Sequence, residues 1–99
     1  MLQRGDWSVS PQEVRWRGIL IDVTPRQTLI LHHLARRAPA WVSADELNQQ
    51  TYLPWQPRPE RNVIGQHVNW LRKRLRERNV PCPFVSRRGR CGGYHWVPE

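Results

Sequence analysis

The chain has 99 residues, enough for one domain and too few for two, and it carries 16 Lys and Arg against 8 Asp and Glu, a net charge of +8. All but one of those cations are Arg, and the excess concentrates between Arg72 and Arg90, which favours a polyanionic partner over simple solubility. No apolar run approaches the roughly 20 residues that span a bilayer, and the start Met-Leu-Gln-Arg-Gly-Asp lacks the apolar core of a signal peptide, so no membrane partner is expected and the expected compartment is the cytoplasm.

Residues 1–6 are polar and read as a frayed or disordered end of a single domain spanning 1–99. Short strands follow: Trp7-Ser-Val9, then Glu13–Arg17, then Ile19–Val23, the last two folded as a hairpin at Arg17-Gly18. Thr24-Pro25 opens helix one, with Thr as N-cap, Pro at the first helical position and Gln27 at capping-box spacing. Leu29, Ile30, Leu34 and the Ala35/Ala38 pair form its apolar face, and Pro39 ends it. Ser43-Ala-Asp-Glu46 has the spacing of a second capping box and opens helix two, which runs to about Tyr52 around Leu47.

Leu53–Glu60 contains three Pro and reads as an extended connection. Helix three is expected from about Arg61 to Asn79, closed off by Pro81 and Pro83. Ile64, Val68, Leu71 and Leu75 are spaced four, three and four apart and share one face. Asn62, Gln66, Asn69, Trp70 and Lys73 fall on the opposite face, and Arg72, Arg74, Arg76 and Arg78 fill the flanks. Phe84–Val97 then reads as two strands around a Gly-rich turn, with Arg87, Arg88 and Arg90 at or beside its tip. The fold class is therefore α+β: a winged helix-turn-helix with short N-terminal antiparallel strands, three helices and a C-terminal β-hairpin wing.

This order resembles the winged-helix effector domain of the OmpR/PhoB type. The matching pieces are Val23-Thr-Pro-Arg-Gln27, Val42-Ser-Ala-Asp-Glu-Leu47, Val68-Asn-Trp-Leu-Arg-Lys-Arg-Leu75 and Arg88-Gly-Arg-Cys-Gly-Gly-Tyr94. Together they extend the resemblance from about Trp7 to Val97. The sequence departs from the family in a longer wing turn, in Trp70 where a basic residue is usual, and in Gly65 where an acidic one is usual. The strand region ahead of helix one also reads as shorter than the family's four-stranded sheet. With only a few residues ahead of the first expected strand, no receiver domain is expected before it. That arrangement suits a stand-alone protein, an N-terminal DNA-binding domain, or a fragment carrying an added Met.

The resemblance implies a bacterial transcription regulator that binds double-stranded DNA. An α-helix fits the major groove, where amides and Arg can read base edges. Gln66 and Asn69 are the candidates for adenine edges. His67 aligns with a His of the family motif and is expected at a phosphate, as are Arg72, Lys73 and Arg74. Arg87, Arg88 and Arg90 are expected near a minor groove. Two rival readings stay open. One is a protein-interaction module using Trp55, Arg58 and Trp70, because the loop holding Trp55 is where the family can touch RNA polymerase. The other is a structured-RNA binder. A dimeric or tandem arrangement on DNA is a further expectation.

The six Trp are unusual for this length. Trp16, Trp41 and Trp96 alternate with polar neighbours and are expected in the core or half-buried, whereas Trp70 points to a base or sugar contact, a protein interface, or packing on the wing. His32 and His33, adjacent on helix one, are expected at its surface or boundary. Cys82 and Cys91 are too far apart along a hairpin for a disulfide and too widely spaced for a structural zinc site with His67 and His95, so free thiols and no metal are expected. No nucleophile motif, acid pair or Walker-type loop is present, so neither catalysis nor a cofactor is expected.

Overall fold

The computed structural model describes residues 2–51, 63–87 and 93–97. Four short strands open it as an antiparallel meander: β1 (Leu2–Arg4), β2 (Trp7–Val9), β3 (Val14–Trp16) and β4 (Ile19–Leu20). Trp7 and Val9 of β2 and Val14 of β3 turn into the core, with Val9 paired to Val14 and Trp7 to Trp16. The β3–β4 turn falls at Arg17-Gly18, with φ of 52° and 79°. Two successive left-handed residues match the twist of a two-residue hairpin, and Gly adopts that conformation without a Cβ clash.

Three expectations fail here. Leu2–Arg4 is a paired strand and not a frayed end, because Leu2, Gln3 and Arg4 align with Val9, Ser8 and Trp7, and Arg4 Nε donates to the Ala35 carbonyl at 2.9 Å. The sheet is consequently four-stranded and not abbreviated. The last strand is also shorter than Ile19–Val23, and Ile19 and Leu20 lie on its exposed edge.

Helix α1 (Pro25–Arg37) starts as its sequence dictates. Thr24 Oγ1 accepts from the Gln27 amide at 3.2 Å, and the Gln27 side chain accepts from the Thr24 amide at 3.0 Å. Its core-facing residues include Ile30, Leu31, Leu34 and Ala35. Leu31 replaces Leu29 on that face, and Ala38 sits at its margin. His33 is also buried, 5% exposed, contrary to the surface expectation. Its Nε2 meets Glu46 Oε2 at 2.7 Å and its Nδ1 meets Arg36 Nη2 at 2.9 Å.

That contact alters the start of helix α2 (Ala44–Gln50). Ser43 Oγ accepts from the Glu46 amide at 3.0 Å, as a cap should. The reciprocal half of the box is not made: the Glu46 carboxylate turns instead to His33 and to Arg37, 3.4 Å away. Helix α2 stops at Gln50 and not Tyr52, with Thr51 as C-cap.

Helix α3 (Val63–Glu77) buries Ile64, Val68, Leu71 and Leu75, the four residues of the apolar stripe. Full burial of each such side chain stabilises the fold by about 1.5–3 kcal/mol. The helix ends at Glu77, two residues before the expected Asn79, while Arg61 and Asn62 at its expected start lie outside the described residues. Asn79, at φ 57°, closes it: its N–H reaches the Arg76 carbonyl at 3.1 Å, and the Val80 N–H reaches Leu75 at 2.9 Å. This is a Schellman closure, with Val80 folded back into the core beside Leu75.

A second sheet has the order β5 (Trp41–Val42), β7 (Gly93–Trp96), β6 (Phe84–Arg87). The expected hairpin is therefore a three-stranded sheet, joined by a strand from the α1–α2 connection. Its inner face carries Val42, Phe84 and Trp96, and Trp96 meets Trp7 edge-on with centroids 5.7 Å apart, locking the two sheets into one core.

Candidate nucleic-acid interface

Burying the stripe of α3 forces its other side outward. Gln66, Asn69 and Lys73 are exposed there, and Trp70 is 51% exposed at their centre. The structure thus brings these expected site residues onto one outward strip of helix. Asn62, Trp55, Arg58, Arg88 and Arg90 lie outside the described residues.

Among the described residues Trp70 meets the entry to α1 and not the wing strands. It lies on the side of α3 facing the entry to α1, where it lines a cleft of about 410 Å³ with Asp22, Thr24, Gln27 and Lys73. His67 stands edge-on to it, with ring centroids 5.7 Å apart and planes at 88°. Partial burial first, and the charge of Arg26 second, hold the His67 pKa below its usual value. A neutral imidazole can still donate a hydrogen bond to a phosphate but brings no charge to it.

Arg26 itself is buried at the start of α1 and joins that helix to the end of α2. Its Nε donates to Thr51 Oγ1 at 3.2 Å and its Nη2 to Asn48 Oδ1 at 3.1 Å. The second helix is thereby held against the first, which fixes the platform from which the chain departs toward α3.

The opposite flank of α3 meets the wing. Arg72 Nη2 donates to Ser86 Oγ on β6 at 3.0 Å, and its guanidinium lies 5.2 Å from the centre of the Phe84 ring. Arg72, expected mainly at a phosphate, therefore has a structural partner that couples helix to hairpin. Arg74 is exposed and pairs with Glu77 at 3.6 Å, a surface contact of small energetic weight. Arg87 ends β6 with its guanidinium 4.2 Å from the centre of the Trp41 ring. Trp41, expected in the core or half-buried, is 37% exposed on the outer face of the wing sheet. Sequence reasoning missed this contact and the part of Ser86, and the only signal was the alternation that places Trp41 on a strand.

Among the described residues no group of three His, Cys, Asp or Glu converges as a metal site would require. Cys82 is exposed, with its thiol directed to the Phe84 carbonyl at 3.2 Å, and Cys91 lies outside the described residues. Among the described residues no helix is long and apolar enough to cross a membrane.

Solved structures share this arrangement across almost the whole chain. The DNA-binding domain of the response regulator AdeR, in complex with an intercistronic region, superimposes with a TM-score of 0.76 at 18% identity, covering 98% of this chain and 99% of that one. The DNA-binding domain of CpxR from E. coli gives 0.72 at 25% identity, with 98% and 95% covered. The DNA-binding domain of E. coli CadC gives 0.70 at 22%, with 98% and 91% covered. No curated protein sequence matches the chain. The family model described as transcriptional regulatory protein, C terminal, matches residues 18–94. The chain therefore belongs to that family, the OmpR/PhoB-type winged-helix DNA-binding domains of transcription regulation.

Proposed function

We propose that this domain reads double-stranded DNA by seating α3 in the major groove and the 84–97 wing beside the minor groove. One observation carries the reading: the outward strip Gln66–Asn69–Trp70–Lys73 is exposed on a helix that Arg72 ties to the wing through Ser86. Helix and wing then approach a duplex as one surface. Gln66 and Asn69 carry the donor–acceptor pairs that match an adenine edge, and Lys73, Arg74 and Arg87 supply charge to phosphates. The AdeR DNA-binding domain, of the same fold, was solved in complex with an intercistronic region, which supports DNA as the partner.

The remaining partners follow from the same surface. The Trp70 cleft favours a second reading, in which this side of α3 receives a protein such as RNA polymerase or a neighbouring copy on tandem sites. A competition titration decides between them. Labelled duplex DNA, duplex RNA and polymerase are offered to the protein over a salt series. Log K for DNA should fall by about 0.9 per neutralised phosphate for each unit of log salt. Duplex DNA binding that stays flat with salt, or that duplex RNA or polymerase displaces at lower concentration, overturns the proposal.

A further inference from the structure

The outer face of the wing sheet carries an arrangement that the reading of α3 does not use. Register places Trp41 of β5 directly opposite His95 of β7, and their rings stack with centroids 4.9 Å apart and planes at 28°. Arg87 of β6 is opposite Gly93, two residues before His95 on the same face. Gly93 has no side chain to stand between the outer strands. The Arg87 side chain lies over the Trp41 ring at 4.2 Å. Three strands thus contribute one layer, His95–Trp41–Arg87, at the point where the chain leaves β6 for the wing tip.

We propose that Trp41 is a positioning residue for DNA binding, setting Arg87 as a phosphate-binding cation at the base of the wing. The inference rests on the DNA reading above and deepens it. Stacking engages the face of a guanidinium, whereas a phosphate is bonded through its edge, so the two contacts are compatible. A long Arg side chain otherwise loses rotamer freedom when it binds, and a side chain already laid on an indole has lost part of it. The His95 ring, on the central strand β7, stacks on the indole from beside it. Trp41 need not touch the DNA at all: its effect passes through Arg87.

The test is a double-mutant cycle read by fluorescence anisotropy, using a duplex selected by the wild-type protein. Arg87→Ala should weaken binding and reduce the salt slope by about one phosphate contact. Trp41→Ala should weaken binding by about 2- to 5-fold, the range of an exposed cation–π contact. Trp41→Phe, which keeps a ring under the guanidinium, should restore most of that loss. In an Arg87→Ala background, Trp41→Ala should have no further effect. Full additivity of the two substitutions overturns the inference, because Trp41 then acts without Arg87. So does a Phe variant as weak as the Ala variant. An Arg87→Ala defect with a silent Trp41→Ala likewise refutes the positioning role while leaving the DNA reading standing. A wild-type protein that binds no duplex refutes both.

Discussion

Replacing Gly65 with alanine should stabilise this domain. Gly65 lies in the first turns of α3, is exposed, and a Cβ built on it meets nothing within 4 Å among the described residues. Its backbone is helical, so alanine adopts the same conformation without strain. The gain comes from the unfolded chain, which loses more freedom on folding with Gly than with Ala, and from better helix propensity. In an exposed helix interior that difference is about 1 kcal/mol, and closer to 0.5 near a helix start. For a domain of this size, each kcal/mol moves the thermal midpoint by about 4–8 °C, so a rise of about 2–8 °C is expected. Urea denaturation followed by far-UV circular dichroism gives the free energy directly. The midpoint should rise with an unchanged slope, since the surface exposed on unfolding is the same. A Gly65→Ala variant less stable than the wild type would refute the reasoning, because it would mean that the Cβ meets a neighbour or that α3 does not begin as described.

Gly93→Ala should do the opposite: a Cβ there lands against the Val42 carbonyl, 2.9 Å from its carbon, on backbone that cannot swing aside, and φ is 156°. A loss of about 2–5 kcal/mol, combining overpacking with backbone strain, is expected in the same denaturation assay, and a loss under about 1 kcal/mol would refute that placement of β5. On α3, Gln66→Ala or Asn69→Ala should change the preferred base at one position by about 1–3 kcal/mol, whereas Lys73→Ala should lower affinity for all duplexes. Binding-site selection on each variant separates these, and unchanged preferences in both amide variants would remove α3 as the reading element. The pKa values of His32 and His67 lie below their usual value of 6.5, through burial first, then Arg36 and His33 for His32, and Arg26 for His67. The unfolded chain then takes up protons at a higher pH than the folded one, so stability should be level above pH about 6.5 and decline as pH falls through the window beneath it. His67→Gln should make that decline shallower between pH about 6.5 and 5, and an equally steep profile would show that His67 contributes nothing to it.

What the sequence determined by itself was local. The Thr24–Gln27 box, the Ser43 cap, the Arg17-Gly18 turn and the Ile64–Val68–Leu71–Leu75 stripe each depend on residues within a few positions of one another. Backbone geometry alone brings such groups together, so their spacing is enough to read them. The outward strip of α3 was legible for the same reason: once the stripe is buried, helical geometry leaves Gln66, Asn69, Trp70 and Lys73 no other direction. Tertiary structure decided wherever one group had several possible partners far apart in the chain. Glu46 has the spacing to cap its own helix, yet it bonds His33, because α1 brings a buried imidazole to within 2.7 Å of it. Leu2–Arg4 looks like a loose end until β2 offers a ladder and Ala35 a carbonyl. Arg72 could serve a phosphate from any exposed helix, but only the packed wing supplies Ser86 and the Phe84 ring. Arg87 likewise meets Trp41 only because β5 and β6 flank β7, a neighbourhood of strands that no local spacing encodes.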